Sequence, residues 1–170
     1  MEFLDLAKAR YSVRSFRPDA VPAELVEQIL TAARVAPTAC NNQPQKILVL
    51  QSADALEKLK KCTPCHFNAP LAFLICYDKR RSWTRPFDGK TSGDVDSSIV
   101  ATHMMLEAAA LGVGSTWVMF FNPEAVRTEF ALDENLEPVA LLPMGFPAED
   151  AVPAGKHSEF RDETDMVEFI

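Results

Sequence analysis

Five consecutive residues, Arg10-Tyr11-Ser12-Val13-Arg14, place two guanidiniums and a hydroxyl side by side, with Arg17 close behind. Guanidinium is a planar, permanently charged fork that matches the oxygens of a phosphate. On a helix, residues 10, 12 and 14 would point in different directions. On an extended segment they alternate to one side, because side chains repeat with period two. The strip therefore suits a single anionic ligand, although a solvated basic turn would use the same residue types.

A second polar stretch lies at Pro37-Thr38-Ala39-Cys40-Asn41-Asn42-Gln43-Pro44. Its hydroxyl and amides donate and accept hydrogen bonds without charge, which suits a polyol or a heteroaromatic ring as well as ordinary turn chemistry. Cys62-Thr63-Pro64-Cys65-His66 has the form of a c-type haem attachment site or a thiol redox pair. Redox pairs of this form open a helix, which lowers the thiol pKa. This one leads through Asn68-Ala69-Pro70 toward a strand, and Cys40 and Cys76 lack the spacing of further zinc ligands. The expectation is plain structural cysteine. His103 sits among apolar helical residues and is expected to be a satisfied core histidine. No nucleophile elbow, phosphate-binding glycine loop or dinucleotide fingerprint is present.

The elements that must position these residues follow from hydrophobic spacing. Helices are expected over 3–9, 22–35 (Pro22 in the first helical position), 53–61, from the cap at Asp94 to Leu111, and from Asn122 to about Leu132. Strands are expected over 46–50, 72–77, 115–121 and 139–144, the first two as buried strands. Residues 78–94 show no periodicity and read as a long functional loop. The helix ending at Leu111 is apolar nearly all round, so a partner subunit is expected to cover part of it. The C-terminal stretch ends in Val167, Phe169 and Ile170, too apolar for a free tail.

The chain has 170 residues, a net charge of −7 and 48% hydrophobic residues, as expected of one globular domain. The acidic balance disfavours nucleic acid and an anionic membrane surface as partners. No apolar run is long enough to span a membrane, and the acidic start does not read as a signal peptide. A cytoplasmic setting with free thiols is the expectation.

In sum of its motifs the chain resembles the FMN-dependent nitroreductase-like oxidoreductases. The motifs are Arg10-Tyr11-Ser12-Val13-Arg14, Ala36-Pro37-Thr38-Ala39-Cys40-Asn41-Asn42-Gln43-Pro44, the helix end Ala108 to Gly114 followed by Trp117, and Gly145-Phe146-Pro147 with Lys156 beyond. The resemblance implies an α+β, three-layer sandwich with a mostly antiparallel central sheet flanked by helices. It also implies an intertwined homodimer of a single domain, 1–170, with extensions wrapped around the partner and FMN at the interface. On that analogy Arg10, Ser12 and Lys156 hold the FMN phosphate, with Tyr11 beside them, and Arg14 reaches the ribityl chain and the N1/C2 edge. Pro37, Thr38, Asn41 and Gln43 come from the opposite subunit. A backbone N–H near Met119-Phe120 faces flavin N5, and Pro143-Met144-Gly145 lie alongside. NADH or NADPH gives hydride to the flavin, which then reduces a nitroaromatic, a quinone or a similar electron-poor acceptor, in ping-pong order without a side-chain acid or base. Two other readings remain: a flavin-binding or flavin-consuming protein without reductase activity, and a thiol or haem electron carrier using Cys62 and Cys65. Thr38 stands where Ser is commoner, Gln45 where an aromatic is usual, and the helical insertion that shapes the pocket of longer relatives is missing, leaving 78–94, with Trp83, Arg85 and Phe87, to fill that gap as a lid or acceptor selector.

Overall fold

A computed structural model describes residues 2–170. Four strands form one sheet in the order β1-β2-β4-β3, and every pairing is antiparallel. They are β1 (Gln45–Leu50), β2 (Leu71–Asp78), β3 (Gly114–Ser115) and β4 (Leu136–Gly145). Five α-helices accompany them: α1 (Phe3–Ala9), α2 (Ala23–Val35), α3 (Ala53–Cys62), α4 (Gly93–Ala110) and α5 (Pro123–Glu129).

The alternation of β2 explains the layering. Leu71, Phe73 and Ile75 face a core shared with α2 and α4, whereas Ala72, Leu74 and Cys76 face one shared with α3 and α5. A strand buried on both faces must be apolar at every position, as Leu71 to Tyr77 are. Each fully buried Leu, Ile or Phe side chain contributes about 1.5–3 kcal/mol of transfer free energy, so the central strands anchor all three layers. The α+β sandwich with an antiparallel sheet is the architecture that the motifs implied.

Five local differences are found. The strand expected over 115–121 is reduced to Gly114–Ser115 and an isolated bridge between Val118 and Leu141. Thr116 N–H donates to the Pro143 carbonyl, but proline has no N–H to return, so the ladder breaks there. β4 begins earlier than expected, at Leu136, and tolerates Pro138 beside a register shift opposite Ile75 and Cys76. β1 is an edge strand with Lys46 and Val49 exposed, not a buried one. The cap of α4 is Ser92, not Asp94, which lies in the first turn, and Pro22 caps α2 rather than opening it.

The stretch from 78 to 94 is also more ordered than its composition suggests. Thr84 bridges Thr91, Arg85 N–H donates to the Lys90 carbonyl, and Ser92 N–H donates to Trp83. Arg85 grips Asp88 through Nε at 2.8 Å across the turn. The segment is a small hairpin standing at the N-terminus of α4.

Candidate functional site

The arginine strip leaves α1 in extended conformation, with Arg10 as its cap residue (φ −62°, ψ 128°). It then joins the sheet beyond β3. Ser12 bridges Ser115 in parallel, Val13 N–H donates to the Ser115 carbonyl at 3.0 Å, and Arg17 N–H donates to Phe146 at 2.9 Å. Val13 points inward and is 2% exposed, while Arg14 is exposed and Arg10 and Ser12 are half-buried. The expected alternation is therefore present. A Cβ on Gly114 would lie 2.7 Å from Val13 Cγ2, so only glycine lets the strip sit this close. Arg10 and Arg14 have no carboxylate partner among the described residues. A small cavity of about 150 Å³ opens between Arg10, Val13, Gly112 and Gly114.

The C-terminal segment folds back over this strip. Tyr11 Oη donates to the Ala151 carbonyl at 3.2 Å, and the Tyr11 and His157 rings meet edge-on with centroids 6.3 Å apart. Lys156, next in the chain, is exposed there. Pro143, Met144 and Gly145 close β4 at the same end, with Ser115 paired to Met144 and Gly114 to Gly145. The Met144 side chain is wholly buried, so only backbone is on offer from it. Met119 and Phe120 follow the bridge at Val118 with both side chains exposed, and no intrachain acceptor for either N–H is found among the described residues.

The polar loop lies elsewhere. Cys40, Asn41 and Gln43 take positive φ (52°, 53° and 48°), a region that costs a residue with a Cβ about 1–2 kcal/mol. The strained shape is held from inside. Thr38 Oγ1 accepts the Gln43 N–H at 3.1 Å, and Gln43 Nε2 donates to Asn41 Oδ1 at 3.1 Å. Asp96, on the first turns of α4 and 2% exposed, accepts the Ala39 N–H at 2.9 Å and the Ser92 hydroxyl at 2.7 Å. Nothing in the residue order singles out Asp96 or Ser92, because Asp96 follows Asp94 in the first turn of a helix, where acidic residues are ordinary. Gln45, just after the loop, keeps its Oε1 buried without a partner.

Apart from Met119 and Phe120, whose segment reaches Thr63 through the Phe120 carbonyl, the proposed site residues form two groups. Arg10, Tyr11, Ser12, Arg14, Lys156 and Pro143 to Gly145 gather near the C-terminus of α4. Pro37, Thr38, Asn41 and Gln43 gather at its N-terminus. That helix has 18 residues and is about 27 Å long at 1.5 Å per residue. One chain does not bring the two groups together.

The cysteine motif ends a helix rather than opening one. Cys62 is the last residue of α3, its Sγ donates to the Lys58 carbonyl, and burial pushes its thiol pKa up. Burial pushes Cys76 up to about 12. Neither environment favours a thiolate, and no group of three or more metal-binding side chains occurs among the described residues. His103 Nδ1 pairs with the Ile99 carbonyl at 2.9 Å, a satisfied ring at the edge of the core.

Known proteins place this arrangement. A protein of Methanothermobacter thermautotrophicus, provisionally named an NADH dehydrogenase/NAD(P)H nitroreductase, is 30% identical over 157 residues, covering 88% of this chain and 80% of the relative. The crystal structure of a nitroreductase family protein from Clostridium difficile 630 superposes with a TM-score of 0.94 at 44% identity, covering 99% of this chain and 98% of that one. An FMN-dependent nitroreductase from Clostridium difficile R20291 superposes with a TM-score of 0.78 at 25% identity, covering 98% of both chains. The model of the nitroreductase family matches residues 7–67 and 64–146, spanning both the arginine strip and the polar loop, and the chain belongs to that family.

Proposed function

We propose that this chain is an FMN-dependent oxidoreductase that takes electrons from NADH or NADPH and delivers them to small electron-poor acceptors such as nitroaromatics and quinones. The observation that carries the reading is the pair of unpartnered guanidiniums, Arg10 and Arg14, fixed on an extended strip beside Ser12. A doubly anionic phosphate answers Arg10 and Ser12, Arg14 stands further along the same ligand, and the whole chain, 1–170, serves as one flavin-binding domain.

FMN, when bound, supplies the two-electron chemistry that links hydride donor to acceptor. The residues of the chain bind and tune it. Arg10 and Ser12 grip the phosphate with Lys156 as a further cation, while Tyr11 holds the C-terminal segment over them. Arg14 reaches toward the ribityl chain and offsets the negative charge that reduction places at the pyrimidine edge. The free N–H groups at Met119 and Phe120 suit the flavin edge, and backbone from Pro143 to Gly145 runs beside it.

The neutral donors at Thr38, Asn41 and Gln43 belong to a second copy of the chain. They stand a helix length from the arginine strip of their own copy, so a site using both groups needs two chains. The open apolar surface supports this homodimer. Val95 is 52% exposed, and a cavity of about 680 Å³ between Phe3, Val35, Thr102 and Leu106 is left uncovered by the chain itself. Phe160 and Phe169 stand free at the C-terminal end, 85% and 95% exposed. No helix among the described residues is long and apolar enough to cross a membrane, and free thiols with pyridine nucleotides suit a cytoplasmic setting.

The test is the visible spectrum of purified protein, followed by anaerobic addition of each pyridine nucleotide, with molar mass measured in parallel. Flavin bands that bleach with NADH or NADPH and return with a quinone, on a dimeric particle, are expected. A protein that stays colourless after incubation with FMN overturns the reading.

A further inference from the structure

A cavity of about 360 Å³ lies between the hairpin and the first turns of α4, away from the arginine strip. Its walls include Ser92 and Asp96, whose two carboxylate oxygens are already taken by the Ser92 hydroxyl and the Ala39 N–H, and three further kinds of group. Trp83 supplies a half-buried indole, Arg85 and Lys90 supply cations, and Val95 and Ile99 supply an apolar floor. Ala39 closes the side toward the polar loop, so the cavity adjoins the surface that faces the flavin in the proposed dimer.

Charge on the hairpin runs against the rest of the protein. Residues 78–94 carry Lys79, Arg80, Arg81, Arg85 and Lys90 against Asp78, Asp88 and Asp94, in a chain of net charge −7. Arg85 is held in place through Asp88, and the backbone that carries Lys90 is fixed beside it. The Thr84–Thr91 bridge and the Arg85–Lys90 backbone bond fix the two strands, and Arg85 keeps one guanidinium nitrogen, Nη1, free of Asp88. At the base, Ser92 donates to buried Asp96, which also holds Ala39, so hairpin, helix and loop are one unit.

From this geometry, and resting on the proposed flavin chemistry, we infer that the cavity between the hairpin and α4 binds the electron donor, with Arg85 and Lys90 recognising the phosphates of a reduced pyridine dinucleotide and Trp83 stacking on one of its rings. Two cations beside an aromatic wall match a ligand that is both polyanionic and aromatic. FMN meets that description, but in the proposed dimer the phosphate of the flavin beside this cavity is claimed by the arginine strip of the second copy. Nitroaromatics and quinones are aromatic and carry no phosphate. The donor is the remaining reactant with both properties. A basic patch on an acidic protein also steers an anion to this spot and leaves neutral acceptors indifferent to it.

The test uses flavin-loaded protein with the single changes Lys90→Glu and Arg85→Gln. Four quantities are read: FMN per chain, Kd of NADP⁺ by perturbation of the flavin spectrum, KM for NADPH, and KM for a neutral quinone. Each change is expected to raise the NADP⁺ Kd and the NADPH KM about tenfold, with FMN content and quinone KM unchanged. Added salt should weaken NADP⁺ binding more in the parent protein than in either variant. A quinone KM that rises while the NADP⁺ Kd stays put overturns the inference and makes the cavity an acceptor wall. An NADP⁺ Kd unmoved in both variants overturns it as well. Parent protein that binds no flavin defeats the proposed function itself, an outcome separate from either of these.

Discussion

Asp96 accepts the Ala39 N–H at 2.9 Å across 57 residues of sequence, and its second oxygen takes the Ser92 hydroxyl at 2.7 Å. One buried carboxylate thus ties the polar loop to the long helix and to the foot of the hairpin. Removing it leaves the Ala39 N–H and the Ser92 hydroxyl without partners, a cost of about 1–3 kcal/mol for each group that stays buried. Asp96→Ala is expected to lower Tm and to raise the FMN Kd about tenfold. Asp96→Asn keeps one acceptor oxygen for Ala39 and should recover most of the FMN affinity. Equal loss in both variants would show that the charge matters more than the tether.

Arg10 and Arg14 are expected to fail differently when truncated. Arg10→Ala removes a phosphate contact, so FMN should dissociate more readily while protein reloaded with excess FMN turns over nearly as before. Arg14→Ala should weaken retention and also lower the reduction potential of bound flavin, visible by equilibration with a redox dye. The exposed position of Arg14 keeps any loss of fold stability within about 0.5 kcal/mol. Full flavin content with an unchanged potential in Arg14→Ala would remove it from the site.

Gly114→Ala puts a methyl 2.7 Å from Val13 Cγ2 and 2.9 Å from its Cβ. Because Val13 is buried and β-branched, it has little room to turn, and overpacking of this kind costs about 1–3 kcal/mol. The strip should move off β3, so FMN affinity falls together with Tm. Gly112 has open space around it but φ of +75°, so Gly112→Ala should cost stability through the backbone and leave Val13 where it is.

The four cysteines are expected to divide in two when titrated with a thiol reagent at pH 8. Cys40 is exposed and Cys65 half-buried, and both should react in the native protein. Cys62 and Cys76 are buried with raised thiol pKa values, and should react only after denaturant is added. Rapid labelling of Cys62 in the native state would revive a redox role for the Cys-x-x-Cys pair.

Acid should loosen the hairpin. The Arg80 side chain beside Asp78 holds that carboxyl down to about 2, and Arg85 lowers Asp88 in the same way. A carboxyl whose pKa is depressed in the folded state stabilises above its unfolded value, near 3.9, and loses that contribution as pH falls toward its folded one. Trp83 fluorescence in a Trp117→Phe background is expected to change between about pH 4 and pH 2. A signal flat through that range would mean that these ion pairs do not hold the hairpin.

Much of this was legible in residue order. The helices at 3–9 and 53–61 and the buried β2 follow from spacing alone, since side-chain periodicity is local. The strip at 10–14 was readable as extended because Arg, Ser and Arg alternate with inward Val13. What escaped depends on contacts between distant residues. The shortened β3 is decided by Pro143 on another strand, the shape of the 38–43 loop by Asp96, and the order of the hairpin by Arg85 gripping Asp88. The bond from the Tyr11 hydroxyl to the Ala151 carbonyl, a partner 140 residues away, is of the same distant kind.

The span of α4 has one more consequence under the proposed two-copy site. Each helix would serve two flavins, lending its N-terminal loop to one and backing the arginine strip of the other. No defect could then be confined to one chain's own site. In a mixed pair, with Arg10 lost from one copy and Asp96 from its partner, one site would join the damaged strip to the damaged loop and the other the intact strip to the intact loop. Two copies that each hold FMN poorly with themselves would together rebuild one whole site.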